Sequence, residues 1–254
     1  MRRAVFVATG VVAMVVAGFL AWPSASKPTP VVEVPAAAEP AVESPVAAAA
    51  PAPPPVPPRW GAVAAVPSVA VFAAPGAAAP VRAMSHPTHE GVPLAFSVLE
   101  RQGDWLHVQL NVRPNGTTGW IRATDVQVHD TPYRIVVDRA ARVLTLLQGH
   151  DIVFSAPVAI GTGRTPTPVG SFYVDAIVPT NPSSVWGVYQ LSVSGFSDVH
   201  RSFMGGSGQI AIHGTNRPGL VGQSVSNGCV RMRNPDITEV ANRVALGTPV
   251  EIVN

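Results

Sequence analysis

The chain has 254 residues, room for one or two domains, and a formal net charge of +2. Lys27 is its only lysine and no basic block occurs, which excludes an electrostatic footprint for nucleic acid. Hydrophobic residues at 47% allow a sizeable core, but 27 prolines and 13% charged residues indicate that part of the chain is not globular.

Met1-Arg2-Arg3 precedes an apolar run from Ala4 to Trp22. Two arginines before such a run make a positive-inside start, and its length approaches what a ~30 Å hydrocarbon core needs. Pro23-Ser24-Ala25-Ser26 offers small residues for cleavage, so residues 1–26 read as either a secretory signal or a membrane anchor. Both send the remainder out of the cytoplasm, to the cell envelope, periplasm or wall. Residues 27–58 are rich in Pro, Ala and Val and close on P-A-P-P-P-V-P-P. Proline removes amide donors and fixes φ, so this is expected to be a semi-rigid extended spacer.

From Trp60 to His129 strand-like segments alternate with turns. Ser68–Phe72, Val92–Leu99, Trp105–Val112 and Thr118–Ile121 have strand composition. Pro75-Gly76, Gln102-Gly103-Asp104 and Pro114-Asn115-Gly116 separate them. Gly103-Asp104-Trp105 and Gly119-Trp120-Ile121 resemble segments of bacterial SH3-like domains, which implies a small β-barrel over residues 59–130. Trp105 and Trp120 are then expected as core aromatics. His86 and His89, in H-P-T-H, lack the further ligands a metal needs.

A second set of strands starts at Tyr133. Y-R-I-V-V-D, A-R-V-L-T-L-L-Q-G and D-I-V-F-S-A-P-V-A-I-G follow one another, with His129-Asp130-Thr131-Pro132 marking the break before them. The glycine-rich run from Gly161 has no Gly-Lys-Ser and carries prolines, so it is no phosphate cradle. Pro179 to Gly208 is rich in Gly, Ser and aromatics and reads as a lid or as an ordinary hairpin. Near the end, N-P-D-I-T-E-V-A-N-R-V-A-L-G predicts one helix. Asn234 is its N-cap, Pro235 its first position, and Ile237, Val240, Ala241 and Val244 its apolar face. Thr248–Val253 is a last strand.

The chemistry concentrates in Ile210–Met232. Ile210-Ala211-Ile212 is a short apolar run that releases His213 at Gly214. Ser226-Asn227-Gly228 delivers Cys229, the only cysteine, into Val230-Arg231-Met232. A lone cysteine cannot form an intramolecular disulfide; it is either an inert core residue or a reactive thiol. Two strand ends can bring a thiol and an imidazole together, as nucleophilic cysteine chemistry requires. Backbone amides at Gly228 and Cys229 are candidate donors to an oxyanion, because small residues allow close approach.

H-G-T followed by S-N-G-C-V-R-M, with T-P-T-P-V-G-S-F at 165–172, resembles the YkuD-type L,D-transpeptidases over about 120 residues. Asn227 stands where that family commonly has a second histidine. The resemblance implies a β-sandwich L,D-transpeptidase catalytic domain at 131–254, mainly β with one helix near its C-terminal end. It implies Cys229 as nucleophile, His213 as base, and the Gly214 backbone carbonyl as the group that orients the ring. Arg231, Asn227 and Ser226 become candidate substrate contacts, Arg231 as a carboxylate clamp or a surface ion pair. The implied partners are peptidoglycan stem peptides, and the implied reaction needs no metal or cofactor. Two alternatives remain: an L,D-carboxypeptidase, or an inactive wall-binding protein that keeps the fold.

Overall fold

The computed structural model describes residues 59–254. The apolar run and the Pro/Ala-rich spacer of residues 1–58 lie outside the described residues. Among the described residues no helix is long and apolar enough to cross a membrane.

Residues 59–130 build a five-stranded antiparallel sheet. Its strands are β1 (Trp60–Ala64), β4 (Ala95–Gln102), β5 (Trp105–Gln109), β6 (Thr118–Arg122) and β7 (Val126–Asp130), in the order β6-β5-β4-β1-β7. A hairpin of β2 (Ser68–Val71) and β3 (Arg82–Ser85) covers it. Alternation along β5 and β6 sends Leu106, Val108, Gly119 and Ile121 inward, where they meet Phe96 and Val69. Trp105 and Trp120 therefore fall on the other face and do not fill the core as expected. Trp120 stacks on His107 at 4.8 Å, and Trp105 meets Phe72 edge-on at 5.0 Å. Gly119 is needed where it stands: a Cβ there would lie 2.4 Å from Val71 Cγ1.

Residues 133–253 carry a second apolar cluster and an eight-stranded sheet. Its strands in chain order are β8 (Tyr133–Asp138), β9 (Val143–Gln148), β10 (Asp151–Pro157), β12 (Gly170–Pro179), β13 (Tyr189–Phe196), β14 (Gln209–His213), β16 (Val230–Arg231) and β17 (Pro249–Val253). The spatial order is β10-β9-β8-β17-β12-β13-β14-β16. Strand β12 is the pivot. Gly170–Tyr173 pairs with β17, while Val174–Pro179 pairs with β13. The register slips between Val174 and Ala176, so Asp175 is the extra residue of a bulge. Bulges bend a strand and re-aim a side chain. The expected sandwich is thus one curled sheet whose halves share β12.

The expected long strand at 151–161 is broken. Beyond β10, the short β11 (Ile160–Gly161) leaves for a parallel pair with β15 (Ser224–Ser226). The one α-helix among the described residues, α1 (Asn234–Ala241), is shorter than its pattern, with Ile237 and Val240 buried in the core. Asn234 is not its cap. The N-cap position is Arg233, and Asn234 Oδ1 instead accepts from the Thr215 amide at 3.0 Å.

The two sheets meet through polar contacts and close backbone approach. The fully buried Tyr173 donates its hydroxyl to the Ala95 carbonyl at 3.0 Å. His129 Nε2 donates to the Leu246 carbonyl at 2.8 Å. A Cβ on Gly61 would stand 2.3 Å from that same carbonyl. Asn115 exchanges two hydrogen bonds with the Phe196 backbone, and Arg113 donates to the carbonyls of Ser197, His200 and Ser207.

Candidate active site

Strand β14 lies between β13 and β16 and is buried along most of its length. Its pairing with β16 is parallel, with Ile212 opposite Val230 and His213 opposite Arg231. Cys229 therefore enters one step earlier, beside Ala211. Side chains alternate across a sheet, so Ile210, Ile212, Val230 and Met232 share the face that packs into the apolar cluster. Ala211, His213, Cys229 and Arg231 share the other. The I-A-I-H and C-V-R-M patterns thus place thiol, imidazole and guanidinium together on adjacent strands.

His213 is 3% exposed. Its Nδ1 donates to the Gly214 carbonyl at 2.6 Å. That bond assigns the ring proton to Nδ1 and leaves Nε2 with a lone pair. Burial lowers the imidazole pKa to about 4, with Arg231 adding to the effect and the backbone of Gly214 and Trp186 opposing it. The indole of Trp186 meets the ring edge-on at 4.8 Å. Burial pushes the Cys229 thiol up, and the Ala211 backbone and the Arg231 charge offset part of that rise. At neutral pH the resting pair is thiol and neutral imidazole.

Neighbouring loops brace both groups. Ser226 is 1% exposed; its hydroxyl donates to the Cys229 carbonyl at 2.6 Å and accepts from the Gly228 amide at 3.1 Å. The Ser226 hydroxyl and the Gly228 amide, candidates for substrate and oxyanion contact, are thus engaged within the loop. Gly228 itself holds φ +121°, a conformation that disfavours a side chain. From the T-P-T-P segment, the Thr165 hydroxyl donates to the Ser226 carbonyl at 3.0 Å. On the histidine side, Asn234 holds Thr215 and crowds Gly187 and Gly214. A Cβ on Gly214 would lie 2.4 Å from Asn234 Oδ1.

A cavity of about 210 Å³ opens onto Cys229. The stretch 179–208 is not one lid: strand β13 occupies its middle and leaves two loops, 180–188 and 197–208. Both wall the cavity, the first through Trp186 and the second through Phe203, Met204 and Ser207. Arg113 clasps the second loop through three carbonyls. Asn227 is exposed. Arg231 is partly buried, and its Nε has no hydrogen-bond partner among the described residues. The described ion pairs do not include it. Among the described residues no cluster of His, Cys, Asp or Glu is arranged to hold a metal.

A family model for the L,D-transpeptidase catalytic domain, YkuD, matches residues 132–252. YqjB of Bacillus subtilis is 32% identical over 130 residues, covering 48% of this chain and 72% of YqjB. The chain belongs to the YkuD family of L,D-transpeptidase catalytic domains. YkuD of Bacillus subtilis is itself 38% identical over 121 residues, and the chain spans 66% of that protein's length and 48% of its own. An L,D-transpeptidase structure from Mycobacterium smegmatis aligns over 59% of this chain and 90% of that one, at 15% identity and a TM-score of 0.39.

Several structural partners of this YkuD-family site are not legible from motifs. Trp186, Asn234 and Arg113 act through the folded chain: a loop, a helix start and the other sheet. Only Asn234 carries a local signal, that of a helix start, and the signal points to the wrong bond.

Proposed function

We propose that the chain is a peptidoglycan L,D-transpeptidase acting through a Cys229 thioester. The arrangement of His213 and Cys229 on one face of two adjacent parallel strands supports this most. Tethering to Gly214 leaves Nε2 as the acceptor. The thiol proton passes to Nε2 as sulfur attacks the carbonyl before the terminal D-Ala of a stem tetrapeptide. The resting groups are both neutral, so proton transfer accompanies attack, and no preformed ion pair is needed. The oxyanion is received by the Cys229 amide, joined by that of Gly228 if its bond to Ser226 is exchanged. Collapse breaks the C–N bond, and the imidazolium gives its proton to the departing D-Ala. The side-chain amine of a second stem then attacks the thioester. A C–N bond forms, the C–S bond breaks, and the amine's proton goes to His213 and on to the thiolate. The product is a three-to-three cross-link.

Arg231 is assigned to the substrate carboxylate on the strength of its charge, which reaches the thiol although its side chain does not line the cavity in front of Cys229. Asn227, exposed at the loop tip, is assigned to the rim. Residues 131–254 form the catalytic domain and 59–130 an SH3-like domain; their separate apolar clusters support that division. Residues 1–26 export or anchor the chain, and residues 27–58 hold the folded part away from the membrane.

Incubation with disaccharide-tetrapeptide, followed by mass analysis, tests the activity. A cross-linked dimer with release of one D-Ala is expected. Tripeptide alone identifies a carboxypeptidase, and unchanged substrate an inactive binder.

A further inference from the structure

Three cavities lie side by side along the junction of the two sheets, of about 250, 360 and 210 Å³. Glu90 and Gln209 line all three, and the last opens onto Cys229. Together they make a crevice that runs from the sheet junction to the thiol.

Its walls are acidic. Glu90 contributes a carboxylate from the residues 59–130 side, and Asp175 contributes one from the bulge of β12. Among the described residues neither arginine nor lysine lines any of the three cavities. Among the described ion pairs Glu90 has one partner, His89, a cation only when protonated and itself largely exposed. The two carboxylates feel each other, for the charge of Glu90 works against ionisation of Asp175.

The floor is short of donors. Asp175 is 7% exposed. The side-chain amides of Asn111 and Gln209 both donate to its Oδ2. Its Oδ1 meets no well-aligned donor among the described residues, although its own amide and that of Ala176 lie near enough to favour ionisation, and Asn111 Oδ1 meets none. Two buried acceptors without well-aligned donors carry a desolvation cost that a ligand rich in N–H groups removes. An ammonium group has three donors and no acceptor, and its charge favours the Glu90 carboxylate and the ionised form of Asp175, which burial and Glu90 otherwise oppose. An anion or an apolar ligand satisfies neither condition.

We propose that this crevice is a subsite for the primary ammonium group of a peptide side chain, held between Glu90 and the Asp175–Asn111 pair and delivered toward Cys229. The proposal rests on the transpeptidase assignment only for its role: the ammonium is that of the acceptor stem, waiting while the thioester forms. Residues 59–130 then serve as one wall of the acceptor path. The ammonium first releases one proton to solvent; the resulting amine attacks, and His213, neutral once D-Ala has left with the earlier proton, takes the proton the amine loses on attack.

Binding is tested on the full chain without any turnover. Nα-acetyl-lysinamide, which carries one ammonium and no carboxylate, is titrated by calorimetry. Saturable binding is expected, at least tenfold weaker in Glu90→Gln and in Asp175→Asn and unchanged in Glu100→Gln, an exposed acid on β4 outside the cavities. The Nα,Nε-diacetyl compound is expected not to bind. The Glu90 side chain is about half exposed, so its variant answers even if Asp175→Asn fails to fold. Absence of saturable binding, or equal binding by Glu90→Gln and wild type, overturns the subsite. Equal binding of the diacetyl compound overturns its selectivity for charge. A chain that binds the amine yet never acquires a thioester on Cys229 keeps the subsite and loses the transpeptidase assignment.

Discussion

Replacing Asp175 with asparagine isolates one buried charge. Burial raises its carboxyl pKa from 3.8 to about 7, with Gln209 and the nearby amides opposing and the Glu90 charge assisting. The folded chain therefore holds a proton on this group between about pH 4 and 7 that the unfolded chain releases. By linkage its stabilising contribution is complete below pH 3.8 and is lost as pH rises through about 7. At ~1.36 kcal/mol per pH unit, the interval amounts to about 4 kcal/mol, an upper figure for a site that can relax. The amide that replaces the carboxyl cannot titrate, and it keeps one oxygen to accept from Asn111 and Gln209. Urea unfolding of both proteins at half-unit steps from about pH 4 to 8.5 measures the difference. The stability of wild type relative to Asp175→Asn is expected to fall by about 2–4 kcal/mol across that range. Parallel curves for the two proteins would mean that Asp175 is ionised at little cost, and the burial argument would fail.

Other outcomes follow from the same geometry. The acid limb of kcat/KM is expected near pH 4, where His213 gains its proton, and a limb near 6.5 would show an imidazole in contact with water. The same shift makes His213 stabilising above pH 6.5 and progressively less so as pH falls through about 4, a loss that His213→Gln should lack in acid melts. Arg113→Ala removes three hydrogen bonds to loop 197–208 and should cost about 1–3 kcal/mol; hydrogen exchange confined to that loop should accelerate, and unchanged exchange would show that the clasp is idle. Asn234→Ala frees the Thr215 amide and should lower kcat about tenfold, roughly 1.4 kcal/mol of barrier, with KM little changed. Asn227→His, at an exposed loop position, should leave turnover within about tenfold, and a far larger gain would mark the natural protein as crippled.

The thiol and imidazole are legible because their strands obey a period of two. I-A-I-H and C-V-R-M each alternate a core residue with a candidate site residue, so parallel pairing alone puts thiol and imidazole on one face. The same rule, applied to β5 and β6, places Trp105 and Trp120 outside the core; size suggests burial, and alternation decides otherwise. Side chains that serve distant backbone are not legible. Asn234 has the composition of a cap, yet its oxygen is held by Thr215 across the fold. Asp175 looks like a lone acid in a hydrophobic strand. Only the bulge, set by where β12 changes partners, turns it toward the sheet junction. Arg113 lies more than 80 residues from the loop it clasps, and Glu90 is farther still from the thiol whose cavity it lines, separations that no local pattern encodes.

The central claim is that Cys229 is a nucleophile served by His213, and intact-mass spectrometry after exposure to a carbapenem tests it most directly. The strained β-lactam amide presents an acyl group to the same thiol. One adduct per chain is expected, absent in Cys229→Ser because a hydroxyl beside this neutral imidazole is far less acidic than a thiol. In His213→Ala the adduct should form at least ~100-fold more slowly, the low end for losing a general base. A wild-type chain left unmodified after long exposure, or equal labelling of Cys229→Ser, would contradict the assignment of this pair.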